Sequence, residues 1–336
     1  MSSSTHTAVG RHRVLALAWL GLMLIVALLA GWLPLSYAPG TIDLAHLAEP
    51  PLTAMASPRH WLGTDPYGHD LLANLVFGAR TTLLVSLPAA FLATALGTML
   101  GSIAGFWGNN SLSIPAGYWL AGICALALVL LSSNHLWPTA EPYWPVLLAS
   151  IALAISLLTP RLRLLQHTVV LPADRLVMSA VALLESIPRL VLILVIAAVQ
   201  DASIFSLLAV LSVTYWTGPA RLIRADILRV KTLPYIEAAR TAGLSDFYIL
   251  LRHALPNASR AVRTAFPLSV AALVGLETTL SFLGIGLPAE TASWGRIMAT
   301  SRLEPTAWWL IVEPGLILLL TMLALRKLAN TSSHSV

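Results

Sequence analysis

The sequence predicts an all-α protein that crosses a membrane several times. Of its 336 residues, 57% are hydrophobic and only 10% are charged, and the mean hydropathy is +0.79. Soluble domains carry about a quarter charged residues, so this chain is too apolar to be one. Its apolar residues form long runs separated by Pro, Gly and charge clusters, a pattern typical of spanning helices rather than of a barrel of alternating strands.

Eight apolar runs are candidates for spanning segments. The first follows Arg11 and Arg13 and is longer than the apolar core of a secretory signal, so we expect a retained helix. The third and fourth have only about 15 residues each and are expected to be tilted or re-entrant. The eight runs are residues 14–33, 81–105, 117–131, 144–158, 176–199, 203–219, 265–286 and 307–325.

The distribution of arginine and lysine predicts that both ends of the chain are cytoplasmic. Residues 34–80, between the first two runs, contain more acidic than basic side chains and are expected outside. Residues 221–263 contain eight basic and three acidic side chains, which indicates a cytoplasmic loop. Because Arg326 and Lys327 follow the last run, the C-terminus is placed inside as well.

Several kinds of site are not predicted. Lys231 follows Val230 and Lys327 follows Arg326, so neither lysine belongs to the Gly-Lys-Ser/Thr of a phosphate-binding loop. Any ATP is therefore expected to be hydrolysed by a separate subunit. The single Cys124 has no partner for an intrachain disulfide, the nine histidines lack metal-ligand spacing, and no Gly-x-Ser-x-Gly elbow occurs. We expect no catalytic residue, cofactor, metal or nucleic-acid partner.

The most informative stretch is the cytoplasmic segment 235–257. Residues 236–242 favour a helix, which Gly243 can end in the left-handed conformation. Ser245 is suited to cap a second helix, which Pro256 is expected to interrupt. A helix, a glycine turn and another helix form a rigid amphipathic unit that suits a groove on a partner protein. A basic loop with two interfacial helices is the alternative interpretation.

The same stretch resembles the EAA loop of ABC importer permeases. Glu-Ala-Ala starts at Glu237, Gly243 follows after three more residues, and Arg-His-Ala-Leu-Pro-Asn at residues 252–257 is similar to the dipeptide and oligopeptide branch. In that family the loop forms coupling helices that sit in a cleft of the ATPase subunit. The resemblance implies that contact with the ATPase involves Glu237, Ala238, Ala239, Gly243, Leu255 and Pro256.

Three other stretches resemble the second permease of dipeptide, oligopeptide and nickel importers. Residues 60–72 are similar to the family's outer Gly-Thr-Asp-x-x-Gly-Arg-Asp segment, but His69 replaces the Arg, so an ion pair there should depend on pH. Residues 78–83 resemble the start of the family's second helix. Residues 281–286, followed by Ser-Trp-Gly at 293–295, resemble its fifth helix and the next loop.

The resemblance implies a six-helix permease core with an extra two-helix insertion. A peripheral hairpin facing the membrane and a binding surface for an extra subunit are alternative interpretations of that insertion. The predicted organisation is an N-terminal tail, first helix and external segment (1–80), the start of the core (81–107), the inserted hairpin (108–172), the rest of the core (173–328) with its coupling loop (225–261), and a C-terminal tail (329–336).

Three acidic residues lie within predicted spans, where charge is costly and usually faces a cavity, a partner or the bundle interior. Glu185 has Arg189 one helical turn away, which predicts an i,i+4 ion pair. Glu277 stands where the family often has an acid, and a structural role and a place in the translocation path are both open. Glu277 and Glu185 are the candidates for the path, and Glu313 has no assigned role.

Together these observations predict a permease subunit of an ATP-driven importer in the bacterial cytoplasmic (inner) membrane, which itself makes no covalent bond. The resemblance implies a second permease subunit, two cytoplasmic ATP-binding subunits and an extracytoplasmic solute-binding protein as partners, surrounded by membrane lipid. Di- and oligopeptides are the expected cargo, with antimicrobial peptides, glutathione-like compounds and nickel chelates as alternatives. The rival hypothesis is a secondary transporter driven by an ion gradient, with Glu277 or Glu185 as the proton carrier.

Overall fold

Helices form almost all of the structure, a computed structural model that describes residues 3–51, 60–115, 168–199 and 201–333 with the isolated positions 118, 121, 122, 150, 153 and 154. The all-α prediction is confirmed, because the two strands in this part of the chain have only three residues each. In chain order the elements are α1 (Ser3–Leu29), α2 (Leu71–Trp107), β1 (Ser113–Pro115), β2 (Thr168–Val170), α3 (Ala173–Ser186), α4 (Arg189–Val199), α5 (Ile204–Tyr215), α6 (Thr217–Val230), α7 (Pro234–Thr241), α8 (Asp246–Ile249), a π-helical turn (Leu250–Ala254), α9 (Leu255–Phe282), α10 (Trp294–Thr300) and α11 (Trp309–Ser333).

Three of the described helices are long and apolar enough to cross a bilayer. They are α2, the Ala265–Phe282 part of α9 and the Trp309–Ala329 part of α11, and the bent pair α3 and α4 adds a fourth if it is one span. The apolar part of α1, Arg13–Leu29, is shorter. Apart from the isolated positions, the predicted helices at 117–131 and 144–158 lie outside the described residues.

A sharp bend divides the predicted run 176–199. Helices α3 and α4 meet at 84°, since the ring of Pro188 disfavours helical backbone at the residue before it. The predicted ion pair between Glu185 and Arg189 is therefore wrong. Glu185 Oε2 instead lies 2.9 Å from Arg221 Nη1 on α6, and the Arg189 guanidinium lies 4.5 Å from the centre of the Tyr215 ring.

The chain forms two compact units, one of Met1–Ser102 with Ala180–Val336 and one of Ile103–Ser179. In the first unit, the apolar core is built from α2, α4, α5, α9, α10 and α11. Helix α9 packs against α6, α10 and α11, and α11 also packs against α1. This arrangement makes α9 the central helix of the unit. A substitution at either end of α9 therefore affects the packing of several other helices.

Helix α10 is held very close to α9 and α2. Trp294 is 2% exposed, and its Nε1 donates a hydrogen bond to Leu75 O at 3.0 Å. A Cβ atom at Gly295 would collide with Thr278 O and lie 2.8 Å from Phe282 N. Only glycine permits this separation, because backbone atoms cannot rotate out of the way.

In the second unit, the two ends of the predicted insertion meet. Strands β1 and β2 pair antiparallel, with Ser113 opposite Val170. Asp174 N donates to Gly108 O at 3.1 Å, and Arg175 N donates to the side chain of Asn109 at 2.9 Å. The described residues at the two ends of the predicted insertion therefore lie side by side.

Many large apolar side chains on these helices are exposed. Such surface suits the lipid interior of a membrane, where the helices satisfy their own backbone hydrogen bonds. Examples from three helices are Leu84, Phe91 and Met99 on α2, Phe205 and Val213 on α5, and Ile311, Val312, Leu316 and Leu319 on α11.

Polar groups hold together the described residues between α1 and α2, 30–51 and 60–70. Thr64 and Glu49 exchange two hydrogen bonds, of 2.9 and 3.0 Å, and Thr64 O accepts a third, of 3.1 Å, from Trp309 Nε1 on α11. Asp65 Oδ1 accepts the backbone N–H groups of Tyr67 and His69 at 2.9 Å. These bonds close the turn before α2 and attach the segment to α11.

The pair of His69 and Asp65 should make stability depend on pH. His69 Nδ1 lies 2.9 Å from Asp65 Oδ2, and this hydrogen bond raises the pKa of His69 above its ordinary 6.5, against the opposing effect of burial. A raised pKa in the folded state stabilises the protein below pH 6.5, and that contribution is lost as the pH rises through the folded pKa.

We therefore expect His69→Arg to remove part of this pH dependence, since arginine stays charged. Between about pH 5.5 and about pH 8.5, the Tm of the wild type should fall by about 2 °C more than that of His69→Arg, as a partly exposed pair is worth at most about 1 kcal/mol. Differential scanning fluorimetry of the purified chain in detergent measures this. An identical fall in Tm for the two proteins would contradict the expectation.

Candidate functional site

The first half of the loop 225–261 is a short helix closed by a glycine. Helix α7 begins at Pro234, where a missing N–H costs nothing. Gly243 has a φ of +80°, its N–H donates to Arg240 O at 2.9 Å, and Leu244 N–H donates to Ala239 O at 3.2 Å. This pair of bonds is a Schellman motif, so the predicted left-handed end at Gly243 is confirmed.

The second half is a helix that does not stop where the sequence predicts. Ser245 caps α8 as expected, with its Oγ accepting Tyr248 N–H at 3.4 Å. The predicted interruption at Pro256 is wrong, because the helical path runs through the π-helical turn into α9. In that turn Leu255 N–H donates to Leu250 O, five residues back. The wider turn places Pro256 in the first turn of α9, where proline is tolerated.

Polar side chains brace the loop. Arg240 Nε on α7 lies 3.4 Å from Asp246 Oδ1 on α8, which ties the two short helices across the glycine turn. Asn257 Nδ2 on α9 donates to the Tyr235 hydroxyl at 3.0 Å and to His253 O at 2.8 Å. The loop is therefore one braced unit attached to the base of α9.

The braced loop contains both buried and exposed apolar side chains. Ile236, Ile249 and Leu250 are buried. Six other large side chains of the loop are exposed, and Phe247 is the most exposed of them at 63%. We call these six the loop patch: Leu233, Tyr235, Leu244, Phe247, Tyr248 and Leu251. Exposed apolar and aromatic side chains of this kind mark surfaces that bind another protein or lie against a membrane.

The coupling residues predicted from the sequence fall into two groups. Glu237, Ala238, Gly243 and Pro256 are exposed, so they are available to a partner, whereas Ala239 is buried and Leu255 is half-buried. Ala239 lies on the buried face of α7. The sequence prediction missed the loop patch, although Phe247 and Tyr248 in the first turn of a helix in a basic loop are the signal that could have found it.

Glu277, one of the two candidates for the translocation path, lies in the interior with 0% exposure. Its Oε2 accepts a hydrogen bond from Thr82 on α2 at 3.0 Å. Its Oε1 accepts bonds from Ser281 at 2.9 Å and from Ser293, just before α10, at 3.2 Å. We call these four side chains the Glu277 cage. It joins α2 to α9, which is far from it in the sequence, and to the residue that precedes α10.

The other two acids of the predicted spans lie in different surroundings. Glu185 is at the end of α3, partly exposed and paired with Arg221. Glu313 lies on α11, next to Pro314, and its Oε2 is buried without a hydrogen-bond partner among the residues that the structure describes.

Comparison with known proteins finds one matching family and several similar permeases. Residues 171–332 match the family described as binding-protein-dependent transport system inner membrane component. A Brucella suis protein named as a peptide permease is 29% identical over 321 residues, which is 92% of this chain and 83% of that protein.

Two proteins of Bacillus subtilis are similar over nearly the same length. The dipeptide transport system permease protein DppC is 26% identical over 320 residues, covering 94% of this chain and 79% of DppC. The oligopeptide transport system permease protein OppC is 26% identical over 318 residues, covering 93% of this chain and 82% of OppC. The family match at 171–332 contains the whole loop, Glu277 and all of α11 except its last residue.

Proposed function

We propose that this chain is the permease subunit of an ABC importer and that an ATPase subunit drives it at the loop patch. The support is that residues 171–332 match the family of binding-protein-dependent transport system inner membrane components and that relatives over most of the chain are named as peptide permeases. The observation that carries the proposal is the braced unit of α7 and α8, which exposes Phe247 and continues through the π-helical turn into α9. A rigid docking element that continues into a spanning helix can convert movement of a partner into movement of the helix bundle.

The assembly in which the chain works follows from this role. We propose one similar permease beside it, two cytoplasmic ATP-binding subunits below it and an extracytoplasmic solute-binding protein above it. The eight basic residues of 221–263 support a cytoplasmic loop, and with it cytoplasmic N- and C-termini. In this orientation the segment between α1 and α2 faces the binding protein.

Di- and oligopeptides are the proposed cargo. The support is that the relatives similar over most of this chain are named for dipeptide, oligopeptide and peptide transport. We also propose that the Glu277 cage holds α2, α9 and α10 together during transport. Glu185, which is partly exposed at the bend between α3 and α4, is then the better candidate for a residue of the translocation path.

Phe247→Asp tests the coupling surface. We expect this change to reduce both ATPase co-purification and uptake of a labelled dipeptide at least about tenfold, because a charge placed in an apolar interface costs more than about 1.4 kcal/mol. The measurement uses the tagged chain expressed with its neighbouring subunits. A matched control is Phe247→Tyr, which keeps an aromatic side chain at the same exposed position and should leave both readouts within about twofold of the wild type.

Two results would overturn this proposal. One is that Phe247→Asp co-purifies with the ATPase and supports dipeptide uptake as well as the wild type does. The other is uptake that persists after ATP depletion and stops when the proton gradient is collapsed, since the rival secondary transporter predicts that behaviour.

A further inference from the structure

Two histidines and an aspartate converge in the segment between α1 and α2. One ligand atom from each of Asp43, His46 and His60 lies within 4.8 Å of the other two. His46 Nδ1 is 3.1 Å and His60 Nε2 is 3.4 Å from the same oxygen, Asp43 Oδ2. In a tetrahedral zinc site, with bonds of about 2.0 to 2.1 Å, neighbouring ligand atoms are about 3.3 Å apart. These two separations therefore fit a shared metal ion.

His60 is held in the orientation that a metal ligand needs. Its side chain is 1% exposed and its ring stacks on Tyr37, with centroids 4.3 Å apart. His60 Nδ1 lies 2.9 Å from Asp70 Oδ1, while Asp70 Oδ2 accepts Ala73 N–H at 2.8 Å. When Nδ1–H donates to a carboxylate, Nε2 is left with a free lone pair, which here faces Asp43.

The charge of the cluster also suits a cation. Asp43 and Asp70 supply two carboxylates beside imidazoles that bind metal in the neutral form. Asp43 Oδ1 is occupied by Ala45 N–H at 3.1 Å, which leaves Oδ2 for the shared position.

We propose that Asp43, His46 and His60 bind one divalent transition-metal ion, best matched by Zn2+, with Asp70 as the positioning residue for His60. Two imidazole nitrogens and one carboxylate oxygen are ligands that zinc accepts, and water would complete the four. The ion would lie between the two imidazole nitrogens and Asp43 Oδ2. Its effect is to fasten residues 43–46 to the stretch that leads into α2.

The sequence alone assigned none of the histidines as ligands. His60 lies 14 positions after His46, outside the spacing of ordinary metal motifs. The fold brings the stretches together through the bond from Asp43 N to Gly68 O, at 2.9 Å, and through the β-bridge of Ile42 with His69.

His46→Ala tests the site, since His46 is the more exposed of the two histidine ligands and its loss leaves the buried contacts of His60 in place. The purified importer, carrying a tag without histidines, is dialysed against Zn2+ and its metal content is measured. A Co2+ titration followed by visible absorption reports tetrahedral coordination. The wild type should bind one ion at this site, and His46→Ala should bind it at least about tenfold more weakly.

Two further variants show whether the effect is specific to the cluster and whether Asp70 positions His60. His69→Ala removes a histidine of the same segment that is outside the cluster, and we expect its metal affinity to match the wild type. Asp70→Asn should keep the stoichiometry and weaken the affinity about 10- to 100-fold, as loss of a supporting carboxylate does. Equal metal binding by wild type and His46→Ala, or no tetrahedral Co2+ spectrum for the wild type, would overturn the proposal. Neither result depends on how transport is driven.

Discussion

Gly295→Ala should reduce the yield of folded chain at least about fivefold. The new Cβ would collide with Thr278 O and lie 2.8 Å from Phe282 N and 2.9 Å from Ser281 Cβ, all on the last turns of α9. Because most of these are backbone atoms, α10 must move away from α9 as a whole. That movement pulls Ser293 off the Glu277 cage, so we expect a cost above about 3 kcal/mol, the upper end for overpacking. Because folded proteins typically have a free energy of unfolding of about 5 to 15 kcal/mol, this cost would remove a large part of it.

Size-exclusion chromatography of a fluorescent fusion in mild detergent measures the folded fraction. The matched control is Gly21→Ala in α1, where nothing outside the local helix backbone lies within 4 Å of the added Cβ. We expect a wild-type profile for this control. A wild-type profile for Gly295→Ala as well would show that α9 and α10 tolerate a wider separation than the structure has.

Glu277→Ala should be nearly as damaging, for a different reason. The change removes the acceptor of three buried hydroxyl groups, those of Thr82, Ser281 and Ser293, and leaves a cavity between α2, α9 and α10. Each unsatisfied buried donor costs about 1 to 3 kcal/mol, and the cavity adds to that cost. We expect a loss of about 3 to 5 kcal/mol, seen as a lower Tm and a smaller folded fraction in detergent.

Glu277→Gln separates the structural role of Glu277 from a role in proton transport. Glutamine keeps the shape and one acceptor oxygen, and the hydroxyl groups can turn to accept from its amide, since each is both donor and acceptor. We therefore expect a Tm within about 3 °C of the wild type, a loss of about 1 kcal/mol, and unchanged peptide uptake. Normal folding with abolished uptake would contradict the structural role and support Glu277 as the proton carrier.

The features of the loop that could be predicted from the sequence are local ones. The left-handed turn at Gly243 and the cap at Ser245 depend on residues only a few positions apart, so the sequence is sufficient to identify them. The wrong prediction at Pro256 also has a local cause. A π-helical turn just before the proline changes the hydrogen-bond register, and apolar patterning does not reveal such turns.

Contacts between distant parts of the chain were not predictable in the same way. The bend at Pro188 turns Arg189 away from Glu185 and allows Arg221, 36 positions later, to pair with that carboxylate. The Glu277 cage joins Thr82 to a carboxylate 195 positions away. Such partners depend on how the helices pack, and a single sequence contains no direct signal for that packing.

The uninterrupted helical path from Asp246 to Phe282 has a mechanical consequence. At 1.5 Å per residue it is roughly 55 Å long, with the loop patch at one end and the Glu277 cage near the other. If the caged end serves as a fulcrum, a tilt of about 5° moves the Phe247 end through roughly 5 Å. Pro267, inside α9, is the weakest point of this lever because it removes a backbone hydrogen bond. A small rotation at the Glu277 cage would therefore move the loop patch much farther than it moves the cage itself.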